Sequence, residues 1–157
     1  MIVALTMRRD MRFQIERINA NHLKGAAHVI VCAYAQPPWN ENWSHEAAVE
    51  NVSCVLETPK SIALAAVDGG KVIGIALGVR QRRHVGPVIH LDELSVLPEA
   101  QGGGIGTALL SAIVETAKAE GCNSVWLVSQ REGAVSEFYR RSGFAIGSKL
   151  GLYSRST

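Results

Sequence analysis

The chain is poor in aromatic residues, which make up 6% of it, and it has three cysteines, Cys32, Cys54 and Cys122. An odd number at long spacings, with no Cys-x-x-Cys, suggests neither a disulfide framework nor a zinc or redox pair. Reduced, mostly buried thiols in a cytoplasmic protein are expected, with no metal site. Charge of one sign is also scarce. Sixteen basic residues against 14 acidic ones leave a net +2, which makes no electrostatic case for a nucleic-acid partner. No apolar run approaches the roughly 18 residues of a membrane helix. The opening run, Met1 to Leu5, is too short for a signal-peptide core and precedes its positive charges instead of following them. Methionines stand at positions 1, 7 and 11, so any of them could be the start, and residues 1–10 are expected to be loosely held.

What is present is ordinary for a globular chain. There are 157 residues, 47% hydrophobic and 19% charged, with a mean hydropathy of +0.10. That length fits one domain, 1–157, large enough to bury a core without staples.

Apolar residues alternate over Phe13 to Ile18, which reads as a first strand. Leu23, Ala26, Ala27, Ile30, Val31 and Tyr34 recur at helical steps over Asn21 to Ala35, with Asn21 as the expected N-cap. Pro37-Pro38 breaks this helix. Ser44 can cap a second helix running to about Leu56, and Thr58-Pro59 ends it. Ile62–Val67 and Lys71–Arg80 flank Asp68-Gly69-Gly70 as a hairpin. Arg80, Arg82, Arg83 and His84 read as a solvated basic loop, and Gly86-Pro87 as a turn before a third strand, Val88–Leu97. Gly104 to Glu120 is the clearest helix, closed by Gly121. A buried strand over Ser124–Val128, a helix over Glu132–Arg141 and a strand or hairpin over Phe144–Tyr153 complete a mixed α/β sheet with helices on its faces.

The chemistry is concentrated where the third strand runs into Gln101-Gly102-Gly103-Gly104-Ile105-Gly106-Thr107 and then a helix. A helix start leaves amide N–H groups unpaired and carries positive potential. Glycines let the backbone curl around an anion, so residues 101–107 are expected to hold a phosphate or pyrophosphate. A P-loop would need a lysine after the glycines, whereas Thr107 follows Gly106. A dinucleotide fold would need an acidic residue at the end of the next strand, whereas Glu120 lies in the helix.

Gln101-x-x-Gly104-x-Gly106 after Leu94-Ser95-Val96-x-Pro98 resembles the acyl-CoA motif of the GNAT N-acetyltransferase superfamily. Phe138-Tyr139-Arg140-Arg141-Ser142-Gly143-Phe144 is similar to that family's second signature. The resemblance covers roughly residues 88–147. It implies a central, mostly antiparallel sheet with a splayed parallel pair and flanking helices, and acetyl-CoA as co-substrate. It further implies that backbone groups of Leu94 and Val96 pair with the pantetheine arm and that the amides from Gln101 to Gly106 hold the pyrophosphate. A primary amine of a small molecule or peptide would attack the thioester directly, so Cys122 is not required as a nucleophile. The family often carries an asparagine shortly before the tyrosine; Ser129–Ala134 has none, and Gln130 or Ser129 would have to substitute.

Attack needs a neutral amine. An amine with a pKa of about 10.4 is neutral roughly once in 2,500 molecules at pH 7, and an α-amino group near 7.8 about one time in seven. A general base therefore matters most for the former. Asp92 is the first candidate, then Glu93, then His90. Regular alternation puts residues 90 and 92 on one face and 93 on the other; a bulge would reverse that. The Tyr139 hydroxyl is the candidate acid for the departing thiolate. Trp39, Glu41 and Trp43, with His90, are the candidate acceptor wall. The alternatives are a non-catalytic CoA-binding regulatory module, an acyltransferase acting on a protein N-terminus, or an ATP-binding loop. A homodimer would cover the sheet's edges.

Overall fold

The computed structural model describes residues 13–149 and 151–157; residues 1–10, expected to be loosely held, lie outside them. The chain divides into two compact units, the first ending at Leu127 and the second spanning Val128–Thr157.

In the first unit, β1 (Gln14–Arg17) leads through a 3-10 turn (Ala20–His22) into α1 (Leu23–Tyr34) and then α2 (His45–Glu57). Next come β2 (Ile62–Asp68), β3 (Lys71–Arg83), β4 (Gly86–Val96), a second 3-10 turn (Pro98–Ala100), α3 (Ile105–Ala119) and β5 (Val125–Trp126). The strands form one sheet in the order β1-β2-β3-β4-β5. Every pair is antiparallel except β4–β5, which is parallel. This is the mixed sheet expected from the sequence.

Glycines on one face of β3 admit α3. A Cβ on Gly78 would lie 2.6 Å from Ile89 Cγ2 and 3.0 Å from Ile113 Cδ1, and one on Gly74 would lie 3.0 Å from Ile105 Cγ2 and Leu109 Cδ1. The closely seated helix buries Ile105, Leu109, Leu110, Ile113 and Ala117. Each large apolar side chain so buried contributes about 1.5–3 kcal/mol before its ordering cost. The other face takes α1, whose Gly25 closes onto the Val72 side chain.

Helix ends follow local chemistry. Ser44 caps α2 as expected, its Oγ accepting the Ala47 N–H at 3.1 Å. Ahead of α1 the capping side chain is Asn19 and not Asn21, and it caps the 3-10 turn; α1 itself starts after His22 with no side-chain cap. Asn19 Oδ1 accepts from the Asn21 amide at 2.9 Å and its own amide donates to His22 Nδ1 at 3.1 Å, a reciprocal box that closes the 3-10 turn and delays α1 to Leu23. Gly121 closes α3 at φ +75°. Its amide donates to Lys118 O at 3.0 Å and the Cys122 amide to Ala117 O at 2.9 Å, the paired bonds of a Schellman cap.

Four expectations are corrected. β3 runs through Arg83, so Arg80, Arg82 and Arg83 lie on a strand and not in a loop. Arg80 Nη1 donates to Glu120 O at 3.2 Å and lies 3.4 Å from Cys122 Sγ, so it braces the end of α3. The strand expected over 124–128 shrinks to Val125–Trp126, half-buried, because β4 pairs with it only at Ile89 and His90. Among the described residues no strand follows α4 (Gly133–Arg141), and Ile146, Leu152 and Tyr153 are exposed. The cysteines are free but not buried: Cys54 is exposed on the outer side of α2, and Cys32 and Cys122 are half-buried.

Candidate active site

The glycine loop has the geometry of an anion cradle. Gly102 and Gly104 adopt φ +76° and +82°, and a Cβ on either would meet nothing within 4 Å. Gly104 is the N-cap of α3 and supplies no side-chain cap, so side chains leave the first-turn amides uncapped. The Gln101 side chain donates to Val96 O at 3.1 Å and ties the loop to the strand end. Its backbone amide is directed to Pro98 O at 3.3 Å. Of the expected amide donors, Gln101 is therefore engaged in the turn, and the open series begins at Gly102.

Beyond His90, β4 has no strand beside it on the β5 side among the described residues. Leu94 and Val96 thus lie on an open strand edge that leads to the glycine loop. An extended amide-bearing arm ending in a pyrophosphate fits this pairing of edge and cradle, so the residues present fit a CoA-type ligand.

The decisive feature of β4 is a bulge. Leu77 pairs with Glu93 and Gly78 with Leu91, which leaves Asp92 as the extra residue. Glu93 is thereby turned away from the α3 face and toward α1. It is 5% exposed, as is Ser95. Tyr34, the last residue of α1, donates its hydroxyl to Glu93 Oε1 at 2.9 Å, and the Ser95 hydroxyl donates to the same oxygen. Neither bond uses Oε2. Burial pushes the Glu93 carboxyl above its ordinary range; the two donors pull against that shift, and the charges of Asp92 and Glu41 add to it. The Tyr34 phenol is raised as well, first by burial and then by the Glu93 charge, so it stays a donor.

The other candidate bases differ. The Asp92 side chain is 40% exposed, and its Oδ1 lies 3.8 Å from His90 Nδ1. The His90 ring stacks on Trp126 at 4.2 Å between centroids, and the Arg83 guanidinium lies 6.0 Å from the same indole.

The loop after α1 brings the expected acceptor residues to this face. Trp39 and Trp43 lie 5.7 and 6.0 Å from the Tyr34 ring. Trp43 Nε1 donates to Glu41 Oε2 at 2.6 Å, and the Glu41 amide donates to Tyr34 O at 2.8 Å. Tyr34, Ser95 and Trp126 were not singled out from the sequence. Ser95 was findable, since it stands two residues after Glu93 on the same strand. A separate depression of about 300 Å³, lined by Pro59, Lys60, Arg80, Gln81, Arg82 and Pro87, is at the opposite end of β3 and β4 from the glycine loop.

Within the second unit, Tyr139 sits on α4. Its ring meets Phe138 at 5.1 Å and Phe144 at 5.9 Å, both edge-on. Gly143, at φ +88°, and Phe144 close the helix by donating to Arg140 O and Tyr139 O, each at 3.0 Å. The Gly143-Phe144 pair is thus a Schellman cap with its apolar contact, and it fixes the last turn of α4, which carries the tyrosine.

The fold and the glycine loop together define a GNAT-type architecture. The description "Acetyltransferase (GNAT) family" matches residues 29–144, and the chain belongs to that family. It is 32% identical over 92 residues to an uncharacterized N-acetyltransferase of Mycobacterium tuberculosis, a stretch covering 58% of this chain and 57% of that one. The match therefore spans little more than half the relative's length. Among solved structures, the chain is similar to the aminoglycoside N-acetyltransferase AAC(6')-Iy in complex with CoA, with a TM-score of 0.76, 19% identity, and coverage of 96% of this chain and 99% of that one. It is also similar to a transcriptional regulator from Bacillus halodurans C-125, with a TM-score of 0.75, 19% identity, and coverage of 92% and 100%. At such identities the likeness is one of fold. No helix among the described residues is long and apolar enough to cross a membrane.

Proposed function

We propose that the protein is an acetyl-CoA-dependent N-acetyltransferase acting on a primary amine of a small molecule or peptide, with Glu93 as the general base. The observation that carries this reading is the buried Glu93 carboxyl, raised above the ordinary carboxylate range by burial, with two hydroxyls on one oxygen and a loop bearing Trp39, Glu41 and Trp43 on the same side. A base works best when its pKa lies near the working pH. This favours Glu93 over the more exposed Asp92 and over His90, whose ring is stacked on Trp126.

The amides from Gly102 to Thr107 would hold the pyrophosphate, and the backbone of Leu94 and Val96 the pantetheine arm. Bound acetyl-CoA supplies an activated thioester carbonyl. Glu93 takes the proton that the ammonium must lose before its nitrogen can attack. As the C–N bond forms and the C–S bond breaks, the attacking nitrogen gives its second proton to solvent and the Tyr139 hydroxyl supplies one to the leaving sulfur, to be reprotonated from solvent; this role rests on the family motif. Trp39, Glu41, Trp43 and His90 line the acceptor side, where indole faces and a carboxylate suit a cationic amine.

Thermal unfolding with acetyl-CoA, beside equal ATP, tests the first half. A ligand at 100 times its Kd adds about 2.7 kcal/mol, and the shift is expected with acetyl-CoA alone. Turnover on a panel of lysine-like amines tests the second. Glu93→Gln should lose about 10²–10⁴-fold while Asp92→Asn stays within a few-fold. Full turnover by Glu93→Gln removes it as the base. Failure of acetyl-CoA to stabilise the fold counts against every CoA-binding reading, catalytic or regulatory, and a shift with ATP alone moves the ATP-binding loop ahead.

A further inference from the structure

The Glu93 carboxyl is held from two sides, and one of the holders belongs to neither family motif. Tyr34 stands 59 residues before Glu93, at the last turn of α1. Its ring lies 5.7 Å from the Trp39 indole and 6.0 Å from the Trp43 indole, and its hydroxyl reaches Glu93 Oε1 at 2.9 Å. Its backbone carbonyl accepts from the Glu41 amide at 2.8 Å. One residue thus touches the middle of the acceptor loop through its main chain, the tryptophans of that loop through its ring, and the proposed base through its hydroxyl.

We infer that Tyr34 is the positioning residue of the reaction, locking Glu93 Oε1 with Ser95 so that Oε2 is the oxygen presented to the amine, and tying that orientation to the acceptor loop. The inference rests on Glu93 being the base. Two donors on one oxygen restrain the carboxylate plane more than one does, because each hydroxyl hydrogen prefers to lie near that plane. A single donor would let the carboxyl rotate and exchange its oxygens. Ser95 alone could not link the base to the loop, since it shares the strand with Glu93. Tyr34 can, because the packing that sets its ring comes from residues 39 and 43.

The test is a direct titration of the Glu93 side-chain carboxyl by carbon-13 NMR of protein labelled at glutamate Cδ, with Glu93→Gln identifying the resonance. Tyr34→Phe keeps the ring against Trp39 and Trp43 and removes only the donor. A donor to a carboxylate favours its ionised form. The Glu93 midpoint should therefore rise by about one pH unit in Tyr34→Phe, with the tryptophan fluorescence of the wild type retained. Uniform 3-fluorotyrosine labelling works in the opposite sense on the intact sequence. A more acidic phenol donates more strongly, and the midpoint should fall. This arm serves if the Phe variant does not fold. A midpoint that moves in neither protein overturns the role of Tyr34. The base reading fails on a different readout, if Glu93→Gln retains turnover, whatever the titration shows.

Discussion

The same substitution, glycine to alanine, should have opposite functional consequences at two positions in this chain. At Gly78 the new methyl group would sit 2.6 Å from Ile89 Cγ2 and 3.0 Å from Ile113 Cδ1, between β4 and α3. Overpacking of this kind costs about 1–3 kcal/mol. At Gly104 the methyl group meets nothing within 4 Å, but the residue is held at φ +82°. The left-handed backbone charges an L-residue about 1–2 kcal/mol. The two variants should therefore lose similar stability in urea unfolding.

Their CoA affinities should diverge. At Gly104 the methyl group enters the open side of the loop, where the phosphates are proposed to approach the first-turn amides. Loss of one amide bond to a charged phosphate is worth about 1.5–3 kcal/mol, or roughly a ten- to hundred-fold rise in Kd. Isothermal titration with CoA measures this directly. Gly78→Ala, whose methyl group enters the apolar layer against Ile89 and Ile113 and not the glycine loop, should bind within about twofold of wild type. Wild-type affinity in Gly104→Ala would refute the assignment of the loop as the phosphate cradle. Equal losses in both variants would show that affinity follows global stability and not the loop.

Two other predictions follow from the geometry. The Glu93 carboxyl is raised above the ordinary value of 4.5, so the folded state holds its proton more tightly than the unfolded chain. Its contribution to stability is fully present below that ordinary value and is lost as the pH rises through the folded one. Glu93→Gln should therefore gain on the wild type as pH climbs above 4.5, in denaturant melts at a series of pH values, and a constant gap across the series would contradict the shift. Ser44→Ala removes the Oγ that accepts from the Ala47 amide and should cost about 1 kcal/mol without altering CoA binding, as read by chemical unfolding and titration.

What was legible in the sequence was local. The hairpin at Asp68-Gly69-Gly70 is visible because both glycines take positive φ, +55° and +82°. Helix α3 is visible because its apolar residues keep a 3.6 period from the glycine loop to the Gly121 cap. The length of β5 was not legible, since Ser124–Val128 is apolar enough for a longer strand, yet it pairs with β4 only at Val125 and Trp126. The tail after α4 alternates weakly, yet among the described residues it finds no strand to pair with. The partnership of Tyr34 with Glu93 could not be read at all. It joins a helix end to a strand interior through tertiary packing, and no spacing rule connects them.

The bulge is the instructive case, because its signal was present in a different form. Before it, the apolar residues on the α3 face are Ile89 and Leu91; after it, they are Leu94 and Val96. The period of two slips by one residue between them. A regular strand would have put Leu94 and Val96 on the α1 face and driven Glu93 against the α3 side chains, where Ile105, Leu109 and Ile113 offer a carboxylate nothing. One extra residue at Asp92 restores the apolar face on α3 along the whole strand and, by the same displacement, delivers Glu93 and Ser95 to Tyr34. The demand of the core for a continuous apolar face and the demand of the site for an inward carboxyl are met by a single irregularity. A phase slip in an alternating strand is thus evidence for where a side chain has been re-aimed, and here it falls one residue before the proposed base.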